Sequence, residues 1–536
     1  MRTRNHLRST TEVSSLAYVK SLAVISGVVT VFAAALGGAC GDAQTNTSGV
    51  GGAGLSTGSM GGMGTGGEDL SVVAGQTSVG SGMSSVSSSS GTPPPKCMFG
   101  NPNGGAIKFA DAFGDSAIQT GLATTIDKSG NILVAGAHGG VIDFGGGPLT
   151  SPGGDNAFLA KFTTGGQYTW AKTFGDGKGQ SISGVGVDGM GNVYVTGNFT
   201  GTIDFGGATL TATGTLFTDI FLAKLGPDGS HIWSQRFGDE NAQNALSLAV
   251  DGAGNVIIAG YFQNVVNFGG GDLTSAGMFD MFVAKYNSSG AHQWSRRFGD
   301  AAQSQYARAV TADAAGNIYV AGEITGSIDF GGGAMSVTTA KSALVAKLDG
   351  LGNASWVKLA NGDANSESVA YSVAVGPNGE VAAGGYFKNK FDLGGTSTTS
   401  VGTDDAFITL FSGAGAHTLT KTFGDSEQQR VTSVGFAPNG EVYATGDFSG
   451  AIDFETGMAV TSTGLSDGFL VRLNANGCPA WLKTFTGAMA QLPQALAVDP
   501  TTAGVVVTGQ FIGSTDFGTG VTMSAGIDAF VTSVNP

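Results

Sequence analysis

Short runs of alternating apolar and polar residues recur along most of this chain, separated by clusters of Gly, Asn and Asp. The run Gly191-Asn-Val-Tyr-Val-Thr-Gly197 places successive side chains on opposite faces, as a β-strand does. No stretch after residue 40 keeps the 3.6-residue apolar period of an amphipathic helix. The pattern therefore predicts an all-β fold of short strands joined by tight turns.

Three phrases repeat in a fixed order along the chain. One register holds every tryptophan, with Phe109 and Leu419 in its two other places: Trp170, Trp233, Trp294, Trp356 and Trp481. Successive members of this register are 61 to 63 residues apart. A second phrase reads Gly254-Asn-Val-Ile-Ile-Ala-Gly260, and a third reads Asp219-Ile-Phe-Leu-Ala-Lys224. Registers that stay locked over seven copies indicate an internal structural repeat.

Each repeat divides into four predicted strands. The first resembles residues 246–251 and ends in an Asp-x-x-Gly-Asn turn, where Gly supplies a positive φ. The second carries the Val-Tyr-Val phrase, and an Ile-Asp-Phe-Gly-Gly excursion leads from it to the third. A Gly-containing hairpin then leads to the fourth strand, which carries the tryptophan. Four strands in this length predict one blade of a β-propeller.

The two ends of the repeat region are complementary. Residues 106–115 correspond to a fourth strand without the first three, and residues 528–534 correspond to a third strand without a fourth. Pairing these segments would remove two open sheet edges, which otherwise promote aggregation. An open solenoid would instead need a polar cap at each end. We therefore expect residues 104–536 to form a seven-bladed β-propeller of four-stranded blades, whose last blade is closed by the N-terminal strand.

Together these phrases resemble the bacterial SBBP-type β-propeller repeat. The resemblance covers about residues 104–536 and rests on Asp-x-Phe-Val-Ala-Lys-Leu, the aromatic strand, Ala-Val-Asp-x-x-Gly-Asn-Val-Tyr-Val-Ala-Gly and Asp-Phe-Gly. It implies a secreted or cell-surface bacterial protein and supplies no catalytic residues. The chain departs from the pattern at Asn361-Gly-Asp, Thr486-Gly, Gly376-Pro-Asn-Gly and Ala437-Pro-Asn-Gly. The resemblance therefore does not imply a ligand site in every blade.

Residues 1–40 have the pattern of an export signal. Basic residues, of which Arg8 and Lys20 are the last two, precede an apolar run from Leu22 to Leu36, and small residues lead from it to Cys40. The run is too short to span ~30 Å of hydrocarbon comfortably. Its Gly-Ala-Cys end resembles a bacterial lipobox, in which Cys40 is lipidated, although Leu36 stands four residues before the cysteine where three is usual. Cleavage nearby without lipidation is the alternative.

We predict that residues 41–103 form a disordered tether rich in Gly, Ser and Thr. Residues 41–95 contain no Lys or Arg and have too little apolar surface to offset the entropy lost on ordering. A dispensable low-complexity insert is the alternative. We favour a tether because the segment lies directly between the predicted anchor and the predicted fold.

The charge of the chain excludes some partners. With 40 acidic and 25 basic residues, it has a formal net charge of −15. That charge repels nucleic-acid backbones and anionic lipid surfaces. We expect no nucleic-acid partner and contact with a membrane only through an N-terminal lipid, whereas cations and neutral sugars are compatible partners. The sequence contains no His-Glu-x-x-His motif and no P-loop, and no catalytic residue is predicted.

Two series of aspartates occupy repeated positions. The first lies between blades, with Gly487 in the seventh place: Asp115, Asp176, Asp239, Asp300, Asp363 and Asp425. A ring of carboxylates that binds a cation or a polyol is one interpretation, and local capping of turn amides is the favoured one. The second series is the Asp of the Ile-Asp-Phe phrase or its equivalent, with Asn267 in one place: Asp143, Asp204, Asp329, Asp392, Asp453 and Asp516. We assign it a turn role, because asparagine keeps the accepting oxygen and loses the charge.

Cysteine and tryptophan positions give two further predictions. If Cys40 is lipidated, Cys97 and Cys478 remain, and both are expected on the same face, near the closing blade. We predict a disulfide between them, in an oxidising compartment. The tryptophans are predicted to pack between blades, with a sugar-stacking surface as the alternative.

The expected function is a non-enzymatic binding or interaction scaffold: a monomeric cell-surface, outer-membrane or periplasmic lipoprotein, or a secreted protein. Its expected partner is an unknown protein or glycan of the cell envelope, and no cofactor or metal is expected. The alternatives are an extracellular hydrolase or lyase that acts on polysaccharide, and a calcium-dependent carbohydrate-binding propeller. A central or top-face pocket with His, Tyr or Arg beside a carboxylate of perturbed pKa would favour an enzyme.

Overall fold

The structure is a computed structural model that describes residues 97–98, 104–300 and 303–536. The predicted signal of residues 1–40, with Cys40, and most of the predicted tether of residues 41–103 lie outside the described residues. Regular structure in the described part consists of forty β-strands. The described residues contain no apolar helix of membrane-spanning length.

Seven four-stranded antiparallel sheets, called blades 1 to 7, contain the main strands, and each of blades 1 to 6 also has a two-stranded hairpin. In these six blades the first, second, fifth and sixth strands along the chain form the sheet, and the third and fourth form the hairpin. The described strands begin with β1 (Ile107–Phe113). Blade 1 follows with β2 (Gln119–Ile126), β3 (Ile132–His138), β4 (Val141–Ile142), β5 (Leu149–Thr150), β6 (Asn156–Phe162) and β7 (Tyr168–Phe174).

Blades 2 to 4 repeat this order. Blade 2 contains β8 (Gln180–Val187), β9 (Val193–Phe199), β10 (Thr202–Ile203), β11 (Leu210–Thr211), β12 (Asp219–Leu225) and β13 (His231–Phe237). Blade 3 contains β14 (Gln243–Val250), β15 (Val256–Phe262), β16 (Val265–Asn267), β17 (Asp272–Thr274), β18 (Asp280–Tyr286) and β19 (His292–Phe298). Blade 4 contains β20 (Gln305–Ala312), β21 (Ile318–Ile324), β22 (Ser327–Ile328), β23 (Met335–Ser336), β24 (Ser342–Leu348) and β25 (Ala354–Leu359).

Blades 5 and 6 keep the order, and blade 7 differs because its two middle strands are long. Blade 5 contains β26 (Glu367–Val375), β27 (Val381–Lys388), β28 (Lys390–Phe391), β29 (Thr398–Thr399), β30 (Asp405–Phe411) and β31 (His417–Phe423). Blade 6 contains β32 (Gln429–Phe436), β33 (Val442–Phe448), β34 (Ala451–Ile452), β35 (Val460–Thr461), β36 (Asp467–Leu473) and β37 (Pro479–Phe485). Blade 7 contains β38 (Gln491–Val498), β39 (Val505–Asp516) and β40 (Val521–Val534), and its fourth strand is β1.

The first strand of the fold closes the ring. β1 pairs antiparallel with β40, from Ile107 opposite Val534 to Phe113 opposite Ala529, so that blade 7 gains the strand it lacks. The first strands of successive blades contact one another in the order β2, β8, β14, β20, β26, β32 and β38, and β38 contacts β2. The predicted seven-bladed propeller with a shared last blade is therefore confirmed. The first strand of each blade lies nearest the axis, and the fourth strand lies at the rim.

The Ile-Asp-Phe excursion fills the outer part of each interface between blades. In blade 1 the side chains of Ile142 and Phe144 are buried, and the Phe144 ring lies 4.8 Å from the ring of Phe113 in blade 7. The same contact joins Phe174 of blade 1 to Phe205 of blade 2, at 4.7 Å between ring centroids. This packing explains why each repeat is longer than four strands require.

The tryptophan register packs between blades at the rim, as predicted. The indole Nε1 of Trp294 donates a 3.0 Å hydrogen bond to the carbonyl of Gly350, in the turn between the third and fourth strands of the next blade. Trp233 makes the same contact with the carbonyl of Ser288, at 3.3 Å. Its ring approaches Gly290 so closely that a Cβ there would lie 3.0 Å from the indole, and the positive φ of Gly290 also disfavours a side chain.

A buried ion pair links the Asp-x-x-Gly-Asn turn to the third strand. In blades 1 to 3 the Asp Oδ2 lies 2.9 to 3.2 Å from the ammonium of the lysine that ends the Phe-x-Ala-Lys phrase: Asp127–Lys161, Asp188–Lys224 and Asp251–Lys285. The side chains of all six residues are less than a tenth exposed. The same Asp accepts backbone amides of its turn, so one carboxylate fixes both the turn and the lysine.

Candidate functional site

The first aspartate series ties the link between two blades to the hairpin of the second blade. Asp176 Oδ1 accepts a 2.7 Å hydrogen bond from Gln180 Nε2, and its Oδ2 accepts a 3.0 Å bond from the amide of Thr202. The equivalent contacts are made by Asp115, Asp239, Asp300 and Asp425. Asp363 differs, because it is exposed and, among the described residues, only Lys390 approaches its carboxylate, at 3.8 Å. Ser366 Oγ accepts the Lys390 amide in its place.

These carboxylates act as local caps. Burial by itself would raise the pKa of Asp115, but hydrogen bonds from the amides of Ala117 and Val141 outweigh it and hold that pKa below its usual value. The same balance lowers the pKa of Asp176 and of Asp239. The described residues contain no group of three or more His, Cys, Asp or Glu side chains arranged to hold a metal ion. The favoured capping interpretation agrees with this geometry, and the series does not converge on one ligand.

The second series forms the turn of the excursion. Asp329 Oδ1 accepts the amides of Gly331 and Gly333, at 2.7 and 3.1 Å. Asn267 Oδ1 accepts the amide of Gly269 at 2.8 Å. The remaining members accept amides two to four residues ahead in the same way: Asp143, Asp204, Asp392, Asp453 and Asp516. An oxygen acceptor is all that this turn needs, which explains why one blade uses asparagine.

A disulfide joins Cys97 to Cys478, the pair expected from the sequence, with the two Cα atoms 5.4 Å apart. The amide of Cys97 also donates a 2.9 Å hydrogen bond to the carbonyl of Glu455 in blade 6. Because Cys97 lies ahead of β1, the bond attaches the segment before the closing strand to the neighbouring blade.

Three histidines share one position at the start of the fourth strand, in blades 2, 3 and 5: His231, His292 and His417. They are half-buried, because each ring rests on a glycine of its own hairpin, as His231 rests on Gly207. His138 stands apart at the end of β3. It is fully buried, its Nε2 lies 2.8 Å from Thr173 Oγ1, and burial lowers its pKa to about 4.

Blade-specific side chains gather near the axis in blades 3 to 6, where the inner strands begin. We call this set the axial cluster: Tyr261, Tyr306, Arg308, Glu323, Tyr371, Tyr386, Asp404, Arg430 and Asp447. The Tyr261 and Tyr306 rings meet edge to face at 4.8 Å, and the Tyr371 and Tyr386 rings lie 5.7 Å apart. The cluster therefore runs continuously across four blades.

Arg308 is the centre of one half of the axial cluster. It occupies a bulge between Ala307 and Ala309 in β20, and its guanidinium makes a bidentate pair with Glu323, at 2.6 and 2.8 Å. The guanidinium also lies 5.4 Å from the Tyr306 ring, within cation–π range. Its side chain is 21% exposed, whereas that of Glu323 is 2% exposed. Glu323 accepts from two of the five guanidinium N–H groups, and no group of the described residues accepts from the other three.

Arg430 is the centre of the other half. Its Nε donates to Asp404 Oδ2 at 3.2 Å, and its guanidinium lies 5.1 Å from the Tyr386 ring. Asp447, on β33 of the same blade, is buried and accepts a 3.3 Å hydrogen bond from Ser466 Oγ. Burial raises the pKa of Asp447, against the opposing effect of the Arg430 charge.

Three tyrosine hydroxyls of the axial cluster have no hydrogen-bond partner among the described residues. Within the described part of the chain, no group hydrogen-bonds to the hydroxyl of Tyr261, Tyr371 or Tyr386. None of the three oxygens is fully enclosed either. Burial raises the pKa of Tyr261 to about 12, although the Arg308 charge opposes it, and burial also raises the pKa of Tyr371 and Tyr386. The hydroxyls therefore stay protonated and offer both a donor and an acceptor.

The sequence analysis missed the axial cluster because it looked for residues shared by the blades. A signal was present: the inner-strand bulge holds Leu122, Ser183 and Leu246 in blades 1 to 3 but Arg308 and Tyr371 in blades 4 and 5. Aligning the repeats and asking where they differ would have found it.

Comparisons with known proteins give one match to a family model. Residues 293–329 match a family model described as a β-propeller repeat, SBBP. No curated protein matches this chain. The Neurospora crassa Pan2 WD40 domain is 10% identical, with a TM-score of 0.41, covering 78% of this chain and 89% of that one. The Dos1 propeller is 8% identical, with a TM-score of 0.38, covering 80% and 95%.

A quinohemoprotein alcohol dehydrogenase from Comamonas testosteroni is 11% identical, with a TM-score of 0.37, covering 80% of this chain and 76% of that one. At this similarity, none of the three solved structures supports a statement about activity or ligand.

Proposed function

Because the protein is a seven-bladed β-propeller that carries the SBBP repeat, we propose that it is a non-catalytic binding scaffold whose ligand docks on the axial cluster. One observation carries the proposal: hydroxyls of Tyr261, Tyr371 and Tyr386 have no partner in the described structure. Glu323 and Asp404, in contrast, are paired with arginines. Tyrosine hydroxyls without a partner can hydrogen-bond to a ligand, whereas carboxylates paired with arginines are poorly placed to transfer a proton. The arrangement therefore suits ligand recognition better than acid–base catalysis.

The proposed ligand is a neutral glycan of the cell envelope. The tyrosine rings, their hydroxyls and the guanidinium of Arg308 can meet the hydroxyl groups and apolar faces of a sugar. Each arginine of the axial cluster has an acidic neighbour, so the cluster has little net charge to attract an anionic polymer. The formal net charge of −15 adds long-range repulsion against such polymers.

The test is a screen of the full-length chain on an array of neutral glycans, in parallel with a Tyr371→Phe/Tyr386→Phe variant. We expect the wild-type chain to bind a subset of the glycans and the variant to bind them at least tenfold more weakly, since two hydrogen bonds are lost at ~1 kcal/mol each. Binding that is equal in the two chains would reject the site. Capture of an envelope protein with no glycan bound would replace the proposed ligand.

A polysaccharide hydrolase or lyase is the second candidate, favoured by Asp447. Its pKa is raised by burial, and Arg430 and Tyr386 lie in the same part of the axial cluster. A raised carboxyl pKa beside Arg and Tyr is a known feature of active sites. Release of new reducing ends from a bound glycan, abolished by Asp447→Asn, would establish this candidate and reject the non-catalytic scaffold.

The calcium-dependent alternative is distinguished by adding calcium or a chelator during the same screen. A specific ligand raises the stability of the folded state by mass action, so a calcium site would raise the melting temperature. We expect no change in the melting temperature or in glycan binding. A calcium-dependent rise in melting temperature together with glycan binding would favour the alternative.

We further propose that the propeller acts outside the cytoplasm, attached through lipidated Cys40. The export pattern of residues 1–40 supports this, and a disulfide between Cys97 and Cys478 is compatible with an oxidising compartment. Metabolic labelling with a fatty acid is expected to mark the wild-type chain and not the Cys40→Ala variant. An unlabelled but exported wild-type chain would instead indicate cleavage without lipidation.

A further inference from the structure

Blades 1 to 3 contain a recurring site for an ammonium group. The Nζ of Lys224 lies 3.2 Å from Asp188 Oδ2 and 3.1 Å from the carbonyl oxygen of Ser288, in the turn between the third and fourth strands of the next blade. Lys161 is placed in the same way between Asp127 and the corresponding carbonyl of Pro227. We call this combination of one carboxylate and one turn of the next blade the ammonium socket.

Blade 7 keeps the carboxylate of this socket but lacks its lysine. Asp499 follows β38 as Asp127 follows β2, and Ser533 stands in the strand register where Lys161 stands in blade 1. The space that the lysine would fill is a cavity of about 140 Å³, lined by Asp499, Ser533 and Thr164, the last of which lies in the facing turn of blade 1. The cavity has room for an ammonium group and the methylenes that carry it.

As in the occupied sockets, Oδ1 of Asp499 accepts the amide two residues ahead, although the turn here is one residue longer and lacks the Asn that bonds to Oδ2 in blades 1 to 3. Its Oδ1 accepts the amide and the hydroxyl of Thr501, at 2.8 and 2.7 Å, and the amide of Thr502 at 3.2 Å. In blades 1 to 3 it is Oδ2 that contacts the lysine. Asp499 is only 8% exposed and forms no ion pair within the described residues. A buried carboxylate without a cation is costly, so this site favours a positively charged occupant.

Lys108 also lines this cavity, but it forms no ion pair with Asp499 within the described residues. Its Nζ donates a 3.1 Å hydrogen bond to Thr164 Oγ1 at the rim of the cavity. Blade 5 lacks both members of the ion pair: Gly376 stands in the place of the aspartate and Leu410 in the place of the lysine. Blade 7 differs from blade 5, because it lacks the lysine but keeps the aspartate.

We propose that this socket between blades 7 and 1 binds a primary ammonium group on a short aliphatic chain, supplied by a lysine side chain of a partner or by a small free amine. A single carboxylate beside a turn suits an ammonium, as the three filled sockets show, and offers too few oxygens for a divalent cation. The proposal does not depend on the axial cluster, which lies at the opposite ends of the inner strands.

The test is a titration of the full-length chain with n-butylammonium, followed by NMR or thermal shift, with n-butanol as the uncharged control. We expect saturable binding of the amine and none of the alcohol. Ser533→Lys, which supplies the missing lysine, should abolish binding and raise the melting temperature. Asp499→Asn should weaken binding at least tenfold, because a charge-assisted hydrogen bond is lost.

Two further measurements identify the source of the ammonium group and test whether Lys108 occupies the socket. A lysine-containing peptide that binds more tightly than n-butylammonium would indicate a partner protein, and equal binding would indicate a free amine; both outcomes support the socket. Lys108→Met should bind the amine at least as well as the wild-type chain. Absence of saturable binding to the wild-type chain, or unchanged binding in Ser533→Lys, would overturn the proposal.

Discussion

The rim and the axis of this propeller differ in how similar the seven blades are to one another. At the rim, the tryptophans and the excursions recur from blade to blade and make the same contacts, as Trp233 and Trp294 do. At the axis, equivalent positions hold Thr120 in blade 1, Tyr306 in blade 4 and Arg430 in blade 6. Repeated contacts are what a stable ring requires. Differences confined to one sector are what a single ligand site on a repetitive scaffold requires.

The largest expected effect is at the rim. Trp294→Ala should lower the free energy of unfolding by about 3–5 kcal/mol, because it removes a packed indole and its hydrogen bond between blades. Chemical denaturation measures the loss. Glycan binding at a temperature where the variant is folded should be unchanged. Retained stability with lost binding would contradict the division between rim and axis.

A blade-specific residue away from the axial cluster sharpens the comparison. His138 is fully buried and its pKa is lowered to about 4 from 6.5 by burial. The folded state therefore binds the proton less well than the unfolded state, so stability is full above pH 6.5 and falls as the pH drops from 6.5 towards 4. The loss should reach about 3 kcal/mol.

The measurement is the difference in unfolding free energy between wild type and His138→Phe at pH 7 and at pH 4.5. Phenylalanine is the matched substitution, because Phe199, Phe262 and Phe448 occupy the corresponding place in other blades. The variant should gain stability relative to wild type only at the lower pH. An equal difference at both values would show that His138 does not titrate in this range.

The Arg308–Glu323 pair tests whether the axis is dispensable for stability. Replacing both residues, as Arg308→Met/Glu323→Leu, should change the free energy of unfolding by less than about 1.5 kcal/mol, because an apolar pair of similar volume can replace a buried ion pair. Glycan binding should be lost in the same variant. Large destabilisation would instead assign the axial cluster a structural role.

The smallest effect is expected in the second aspartate series. Asp329→Asn should alter stability by less than about 0.5 kcal/mol, because the amide oxygen still accepts from Gly331 and Gly333. Blade 3 already carries this substitution, as Asn267. Thermal unfolding tests it, and a larger loss would show that the negative charge matters there.

Repetition explains what could be predicted from the sequence. A contact made in every blade leaves a periodic trace, so the four strands, the ring closure by β1 and β40, and the turn role of Asn267 could be inferred without a structure. The half-burial of His231 could not be inferred from the sequence, because its contact with Gly207 depends on where the hairpin folds back.

The residues of the axial cluster can be found by aligning the repeats, but the alignment does not show that they meet. Tyr261 and Tyr386 share one repeat position, which blades 1 and 2 fill with Ala137 and Asn198. Arg308, in the blade between them, stands at a bulge position that other blades fill with different residues. Only the curvature of the ring brings them together, and curvature has no signature in a local pattern. The socket at Asp499 is intermediate: the missing lysine is visible in the repeat alignment, but the empty space is visible only in the folded chain.

Two tyrosines provide the most direct test of the division between axis and rim. The Tyr443 hydroxyl donates a 2.8 Å hydrogen bond to the carbonyl of Ala503, whereas the Tyr371 hydroxyl has no partner in the described structure. Measuring glycan affinity and unfolding free energy for Tyr371→Phe and Tyr443→Phe should give opposite results. Tyr371→Phe should lose affinity with stability unchanged, and Tyr443→Phe should lose about 1 kcal/mol of stability with affinity unchanged. If both variants lose only stability, or if neither changes affinity, the axial cluster is not the binding surface.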